Sequence, residues 1–276
     1  MSGTLILCAT PIGNLGDLSD RAAAALRGAD VIFAEDTRRT GRLLNHIGAS
    51  VPMKSFFAHN ERSRLDVLAA HLEKGDSVVL VSDAGMPVVS DPGMSAVETA
   101  LEVGADVTAI PGPSAVVTAV ALSGFNGDRF VFEGFMPRRG RSRSAVLSAI
   151  AREERTTVLF CAPSRVAKDL AELGEQSEPG RRVVVARELT KLHEEVWRGT
   201  LHEAARHWGE RENIRGEITL VIEGSPQPEP DVAGALEAAK RLIEEGLSAS
   251  DAVRKVAVRT GVSRRELYDV VIKGRS

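Results

Sequence analysis

The chain has 276 residues, of which 43% are hydrophobic, 26% are charged and only 4% are aromatic. This balance is typical of a globular protein and excludes a disordered chain, a collagen-like chain and a small disulfide-bonded scaffold. The formal net charge at pH 7 is −3, so any binding to a nucleic acid would depend on local basic patches rather than on the charge of the whole molecule.

Short aliphatic strands alternate with amphipathic helices along the first part of the chain. The sequence predicts strands at 4–9, 31–35, 77–82 and 106–110, and helices between them at 18–27, 40–46, 62–73 and 95–103. Residues 78–81 are continuously apolar, which is typical of a parallel strand covered on both faces. We therefore expect an α/β domain with a parallel-dominated sheet over residues 1–123, closed by the glycine-containing break at 123–128.

A second α/β domain is expected over residues 130–224. The predicted strands are 129–133, 156–161, 182–188, 194–198 and 218–223, with helices at 142–151, 166–173 and 202–208. The strands at 182–188 and 194–198 follow each other with no room for a helix, which predicts a hairpin and hence a mixed sheet. Three prolines within residues 225–230 indicate a stiff linker, and helices at 231–245, 249–259 and 263–272 predict a small helical module over residues 231–276.

The two cysteines, Cys8 and Cys161, each lie in an apolar run, and the chain has neither a Cys-x-x-Cys pair nor a His-x-x-x-His pair. These spacings argue against a structural zinc site, so we expect no metal. No apolar run approaches the roughly 18 residues that a membrane span needs, and the N-terminus lacks the features of a signal peptide. Two buried free thiols fit a reducing compartment, so we expect a cytoplasmic protein that does not bind a membrane.

The glycine pattern excludes the commonest nucleotide sites. None of the 25 glycines forms a Gly-x-Gly pair, and neither a Walker loop nor a Gly-x-Ser-x-Gly elbow is present. Glycine and proline instead gather directly after predicted strands, at 10–14, 82–93 and 110–115. Ligands bind beyond the carboxyl ends of the strands in open α/β sheets, so three such loops at one edge predict a shared pocket. The alternative interpretation is that each loop is simply a rigid turn.

The motifs in these loops carry a family resemblance. They are TPIGNLGDL at 10–18, AEDTR at 34–38, SFFAHNE at 55–61, SDAGMP at 82–87, SDPG at 90–93, PGPSA at 111–115 and RELTK at 187–191. In this order they resemble the ribosomal RNA small subunit methyltransferase I family of the tetrapyrrole methylase superfamily. The resemblance implies transfer of a methyl group to the 2′-hydroxyl of a cytidine in the decoding region of 16S rRNA, with the rRNA or the small ribosomal subunit as partner.

The same resemblance implies that S-adenosylmethionine lies in a cleft between two α/β domains, and that the protein is a homodimer. The donor would be held mainly by backbone groups of the first domain and closed over by strand ends of the second. Carried over position by position, the donor-binding residues are Pro11, Ile12, Gly13, Asp83, Ala84, Gly85, Met86, Ser114, Ala115, Cys161, Ala162, Ala186 and Arg187.

A ribose hydroxyl is a poor nucleophile until its proton is removed, so the cleft needs a general base or an equivalent. The candidate catalytic residues are Asp36, Arg38, Glu61, Glu188 and Lys191, and the sequence does not choose among them. Alternative interpretations stand beside this one: Asp36 and its neighbours cap a helix, or Glu188 pairs with a nearby arginine. A small-molecule tetrapyrrole methyltransferase would share the donor site without RNA-binding surfaces, and a non-enzymatic RNA chaperone would leave the strand-end pocket unexplained.

Positive charge is concentrated in two segments, 137–155 with a net charge of +4 and 252–276 with +5. The first carries a predicted flexible loop with Arg138, Arg139, Arg141 and Arg143, suited to gripping phosphates. The second carries Arg264 and Arg265 at the start of a predicted helix, after a Ser263–Glu266 capping box, in a helix-turn-helix-like arrangement. We expect both to bind RNA; the alternative is a solvated basic face or, for the tail, a dimer contact.

Overall fold

The computed structural model describes residues 2–226 and 232–273, and the chain divides into two compact units, Met1–Ser225 and Pro226–Ser276. The larger unit contains two five-stranded sheets, and the smaller contains helices. The predicted linker at 225–230 lies outside the described residues from residue 227 onward, as does Arg275 of the predicted basic tail.

The first sheet is parallel throughout, with strand order β3-β2-β4-β1-β5. Its strands are β1 (Thr4–Cys8), β2 (Val31–Ala34), β3 (Met53–Ser55), β4 (Ser77–Val81) and β5 (Asp106–Ile110). Its helices are α1 (Asp20–Gly28), α2 (Thr37–His46), α3 (Glu61–Glu73), α4 (Met94–Glu102) and α5 (Ala115–Ser123). The predicted alternation is confirmed, while β3 and α5 were not predicted.

The helices cover both faces of this sheet, which is why β2 and β4 are buried almost along their whole length. Side chains of β1, β2 and β4 that point one way pack with α3 and α4, around Phe33, Leu68 and Leu72. Those that point the other way pack with α1 and α2, around Leu26 and Leu43. The carboxyl ends of β1, β2, β4 and β5 consequently meet at one edge, where the glycine- and proline-rich loops emerge.

The second sheet is mixed, as predicted, with order β6-β7-β10-β8-β9. Only β6 and β7 run parallel; the remaining neighbours are antiparallel, and β8 and β9 form the predicted hairpin. The strands are β6 (Phe130–Phe135), β7 (Thr156–Cys161), β8 (Arg182–Arg187), β9 (Glu195–Thr200) and β10 (Ile218–Ile222). The helices are α6 (Arg141–Arg152), α7 (Val166–Gln176) and α8 (Leu201–Gly209), which pack on one face around Leu170 and Trp208.

The opposite face of the second sheet packs against α5. Val116, Ala119 and Val120 of this helix contact Val158, Val184 and Val221 of the sheet in one apolar cluster. Helix α5 belongs to the first half of the chain, so this cluster fixes the two sheets relative to each other and holds the loops of the first against the strand ends of the second.

The smaller unit contains α9 (Val232–Glu244), α10 (Ala249–Thr260) and α11 (Arg264–Lys273). Its core is made of small and branched aliphatic side chains, among them Ala239, Val253 and Leu267. Ser248 caps α10, and Gly261 ends it in the left-handed conformation with a φ of 72°. The three predicted helices are thus confirmed over the described residues.

Candidate active site

A cavity of about 470 Å³ lies between the two sheets, at the carboxyl edge of the first. The first sheet contributes the loops after β1, β2, β4 and β5, through residues that include Ile12, Glu35 and 83–86. The second sheet contributes Phe135 and two segments, 160–163 at the end of β7 and 216–219 leading into β10. The strand-end loops that the sequence singled out therefore do form one pocket.

The loop after β4 has an unusual backbone. Gly85 and Gly93 adopt φ angles of 84° and 134°, and two residues that carry side chains, Val88 and Ser90, also have positive φ, at 78° and 64°. Thr10 clamps the start of the loop, because its N–H donates to the Gly85 carbonyl at 2.9 Å and its carbonyl accepts from Gly85 N–H at 3.0 Å. Left-handed backbone at non-glycine residues costs free energy and persists where the surroundings enforce it, typically at functional sites.

Four carboxylates line the cavity: Glu35, Asp83, Asp91 and Glu217. Glu35 Oε2 accepts a hydrogen bond from Asp83 N–H at 3.2 Å, which ties the end of β2 to the loop after β4. Arg39 is the single cation among the described lining residues, and its guanidinium lies 3.4 Å from Asp83 Oδ2. The cavity is therefore acidic and suits a ligand with a net positive charge.

Burial and crowding perturb two of these groups. Burial, together with the negative charges of Glu35, Asp83 and Glu217, raises the pKa of Asp91 to about 6, against an opposing contribution from the Ser82 hydroxyl. The pKa of Glu35 is also raised, first by burial, although the hydrogen bond from Asp83 N–H lowers it in part. Strongly perturbed carboxyl groups in a cleft are candidates for proton transfer.

Most of the predicted donor-binding residues line this cavity: Ile12, Asp83, Ala84, Gly85, Met86, Ser114, Ala115, Cys161 and Ala162. Four lie elsewhere among the described residues. Pro11 and Gly13 belong to the turn after β1, Ala186 is buried against α5, and Arg187 pairs with Glu195. Gly13 packs closely against Lys191, behind the cavity. A Cβ at residue 13 would lie 2.3 Å from Cγ of Lys191, so the absence of a side chain allows this close packing.

Asp36 and Arg38 do not line the cavity. Asp36 is the N-cap of α2: its carboxylate accepts from Arg38 N–H at 2.8 Å and from the Arg38 guanidinium at 2.7 Å, which holds the pKa of Asp36 well below its usual range. The capping interpretation of this motif thus describes the structure. Their sequence neighbours line the cavity instead: Glu35, directly before Asp36, and Arg39, directly after Arg38.

Glu61 is also a positioning residue in this structure. It is the first residue of α3, and its Oε1 accepts a hydrogen bond from Gly93 N–H at 3.1 Å and another from the Ser95 hydroxyl. A carboxylate at this place accepts hydrogen bonds at the amino end of α4 and interacts favourably with the dipole of that helix. Glu61 therefore fixes the far end of the left-handed loop without lining the cavity.

Glu188 and Lys191 form an ion pair behind the segment 216–217. Lys191 Nζ donates to Glu188 Oε1 at 2.7 Å and to Glu217 Oε2 at 2.9 Å, while Glu188 Oε1 also accepts from Glu217 N–H. Burial alone would lower the pKa of Lys191, but these hydrogen bonds raise it overall. A lysine held as a cation does not accept a proton, so Lys191 in this arrangement is not the general base.

Arg143, one of the arginines predicted to bind RNA, is buried in the structure. Arg143 is only 5% exposed and lies inside α6, where its guanidinium meets Asp169 at 2.7 Å, Glu172 at 2.6 Å and the Pro137 carbonyl at 3.0 Å. The prediction that it grips RNA from a flexible loop is wrong, because its donors are used inside the protein. The other arginines that the sequence predicts to bind RNA are exposed. They are Arg138, Arg139 and Arg141 in the larger unit and Arg264 and Arg265 in the smaller.

Sequence reasoning missed several lining residues, including Asp91, Phe135, Phe160 and Glu217. Asp91 lies in a quoted motif, so a signal for it existed. Phe135 ends β6 and Glu217 precedes β10, where no glycine or proline cluster marked them. Among the described residues, no helix is long and apolar enough to cross a membrane, and no group of His, Cys, Asp and Glu is arranged to hold a metal ion.

Comparison with known proteins agrees with these observations. Residues 4–205 match the family model described as Tetrapyrrole (Corrin/Porphyrin) Methylases. The chain is 42% identical to Ribosomal RNA small subunit methyltransferase I of Synechocystis sp. over 98% of both chains, and 46% identical to the protein of that name from Thermotoga maritima, over 80% of this chain and 99% of the relative. A solved structure of similar fold is the uroporphyrin-III C-methyl transferase of Thermus thermophilus in complex with S-adenyl homocysteine, with a TM-score of 0.57 and 20% identity over 79% of this chain and 96% of that one.

Proposed function

The chain belongs to the ribosomal RNA small subunit methyltransferase I family of the tetrapyrrole methylases, and from this premise we propose that it transfers a methyl group from S-adenosylmethionine to small-subunit rRNA. The acceptor in this proposal is the 2′-hydroxyl of a cytidine in the decoding region of 16S rRNA. The observation that carries it is the match over almost the whole chain to relatives named for this activity, together with one acidic cavity lined by the motifs.

The cavity fits the proposed donor in size and charge. About 470 Å³ lies within the range of small-molecule sites. S-adenosylmethionine carries a sulfonium and an ammonium group against one carboxylate, and when bound it supplies a methyl group on carbon already activated by the positive sulfur. The carboxylates of Glu35, Asp83, Asp91 and Glu217 favour such a cation, and the loop backbone at Gly85 allows close approach of a ligand.

Within this proposal the residues of the chain have two tasks. They hold the hydroxyl in line with the methyl group, since alignment alone can contribute on the order of 7–11 kcal/mol to lowering the barrier. They also accept the hydroxyl proton, and we assign this task to Asp91, because it lines the cavity and its pKa, raised to about 6, makes it a stronger proton acceptor than an ordinary carboxylate. Asp36, Arg38, Glu61, Glu188 and Lys191, which do not line the cavity, are then positioning residues outside it.

The proposal extends to the setting of the reaction. We propose that the substrate is rRNA of the small ribosomal subunit, that the protein works as a homodimer, and that it acts in the cytoplasm. A small-molecule tetrapyrrole methyltransferase is the second candidate, but solved methyltransferases of similar fold, such as the uroporphyrin-III C-methyltransferase of Thermus thermophilus and CobJ, share 18% and 22% identity with this chain, a level that supports a common fold and not a common substrate.

Ribose methylation of small-subunit rRNA, mapped in cells that lack this gene, tests the function. We expect one 2′-O-methylcytidine to disappear and to return with the wild-type gene. It should not return with Ala84→Phe, which fills the cavity, and should return with Ala24→Phe, the same change on an exposed face of α1. An unchanged rRNA methylation pattern in the deletion strain would refute the assignment.

A further inference from the structure

A second cavity, of about 290 Å³, lies between the end of β8 and the loop that joins α8 to β10. Three arginines line it, Arg187, Arg211 and Arg215, together with Trp208. Glu212 is the one carboxylate among the described lining residues. No motif singled out this loop, and none of the residues that line the second cavity lines the first.

The arginines are not neutralised by their neighbours. Arg187 and Arg211 share a single carboxylate, that of Glu195, at 3.2 Å and 2.6 Å respectively. Arg215 is exposed, and its side chain has no ion-pair partner among the described residues. Three guanidinium groups against the two carboxylates of Glu195 and Glu212 leave an excess of one positive charge, together with N–H donors for an anion.

A buried donor in the same wall lacks a partner. Trp208 is 0% exposed, and its indole N–H meets no acceptor among the described residues. The Arg211 guanidinium lies over the indole ring, 4.2 Å from its centroid. Buried donors are nearly always paired in native proteins, so the unpaired indole N–H of a residue that lines a basic cavity fits an acceptor supplied from that cavity.

This cavity adjoins the proposed active site. Residues 211–215 line the second cavity, and the chain then continues directly into 216–219, which line the first. Arg187 is the register partner of Ile218 in the sheet, so the strand edge that closes the donor cavity also carries an arginine of the second cavity.

We propose that the second cavity binds a backbone phosphate of the substrate RNA close to the methylated nucleotide, held by Arg187, Arg211 and Arg215. This rests on the proposed function, because it takes RNA as the substrate. Phosphate contacts set the register of a nucleic acid without reading its sequence, which is what an enzyme needs in order to hold one ribose against the donor. Arg187, expected from the resemblance to close over the donor, is thereby assigned to the acceptor.

Binding of a short single-stranded RNA, followed by fluorescence anisotropy between 50 and 300 mM salt, tests this proposal. Each phosphate contact contributes about −0.7 to the slope of log affinity against log salt for single strands. We expect Arg215→Gln to reduce the slope by about 0.7. Arg206→Gln, which removes the same charge from an exposed position on α8 outside both cavities, should leave the slope unchanged. Equal slopes in the two variants would overturn the proposal.

Tryptophan fluorescence gives a second readout. In a Trp197→Phe background, Trp208 is the remaining tryptophan, so its emission reports on this cavity. We expect a change on adding the RNA, and none with Trp208→Phe as a blank. A response to inorganic phosphate but not to RNA would identify a site for free phosphate and overturn the proposal.

The failure of this inference can be told from failure of the proposed function. If the wild type methylates small-subunit rRNA and binds the RNA, but Arg215→Gln keeps the full slope, the phosphate site alone is refuted. If the wild type binds S-adenosylmethionine in calorimetry yet neither binds nor methylates the RNA, both assignments fall.

Discussion

Replacing Asp91 with asparagine is expected to stabilise the protein at neutral pH and to slow methyl transfer. Burial and neighbouring carboxylates raise the pKa of Asp91 from 3.8 to about 6. One pKa unit corresponds to about 1.4 kcal/mol, so keeping this carboxylate ionised in the folded state costs on the order of 2–3 kcal/mol. Asparagine has nearly the same shape and carries no charge, which removes that cost.

The direction of the pKa shift of Asp91 determines the pH range in which Asp91→Asn stabilises the protein. Below about pH 3.8 the carboxyl is protonated in both states, and the folded protein carries no penalty. As the pH rises through this value toward 6, the unfolded chain loses its proton before the folded chain does, so the stability conferred by the raised pKa is lost. The gain from Asp91→Asn should therefore be near zero at pH 3.5 and complete above pH 7.

Urea denaturation followed by circular dichroism from pH 3.5 to 8 measures this difference. Asp106→Asn is the control, because it removes a carboxylate from an exposed position of β5. The reasoning is refuted if Asp91→Asn gains the same stability at pH 3.5 as at pH 8, or if it gains no more than the control. Active-site groups whose charge destabilises the fold commonly contribute to activity at the expense of stability.

Three further changes test the positioning roles in the larger unit. Arg143→Ala should lower the free energy of unfolding, measured by urea denaturation, by about 3 kcal/mol, because the buried carboxylate of Asp169 would lose its nearest guanidinium. Arg141→Ala, at an exposed position of the same helix, should lower it by less than about 0.5 kcal/mol. Gly13→Ala should cost about 1–3 kcal/mol and weaken donor binding in calorimetry, because its Cβ would lie 2.3 Å from Lys191 Cγ; unchanged affinity would exclude this contact from supporting the site. Glu61→Gln should lower stability by about 1 kcal/mol and raise KM for S-adenosylmethionine with little change in kcat, since it loosens the loop after β4; a fall in kcat alone would point instead to a role in the chemical step.

The sheets were predictable because their strands carry a strong local signal. The continuous apolar run at 78–81 is typical of a strand buried on both faces, and the structure places it at the centre of the parallel sheet. Helix α5 was missed because AVVTAVALS is apolar on all sides and rich in β-branched residues, a composition that favours strands. Its caps could have revealed it, since Ser114 accepts from Val117 N–H and Gly124 ends the helix with positive φ.

The site was predictable to the level of loops, and less so to the level of side chains. Glycine and proline after strands marked the loops, because close approach and left-handed turns need them. Which of two adjacent side chains enters the cavity depends on where a strand stops and a helix begins, and this decides between Glu35 and Asp36 and between Arg38 and Arg39. Arg143 shows the same limit, because its partners lie 26 and 29 residues further along the chain.

The acidic cavity also predicts how the protein distinguishes its proposed donor from the spent product. S-adenosylmethionine has a positive sulfur, whereas S-adenosylhomocysteine has a neutral one, so the wall carboxylates favour the first of the two. For an assumed separation of roughly 10 Å between the Asp91 carboxylate and the sulfur, at an effective dielectric constant of about 20, the interaction of two unit charges is worth about 1.7 kcal/mol. Asp91→Asn should therefore reduce the ratio of the two affinities by about tenfold at pH 8.

The same substitution should matter much less at pH 5, because Asp91, with a pKa of about 6, is then mostly protonated in the wild type as well. Calorimetry of both ligands at pH 5 and pH 8 measures the ratio, with Asp106→Asn as the control outside the cavity. An equal loss of affinity for both ligands at pH 8 would mean that Asp91 shapes the cavity without sensing the charge on sulfur. A selective loss for the cation, confined to the higher pH, would show that the Asp91 carboxylate also senses the charge on sulfur and so favours release of the neutral product.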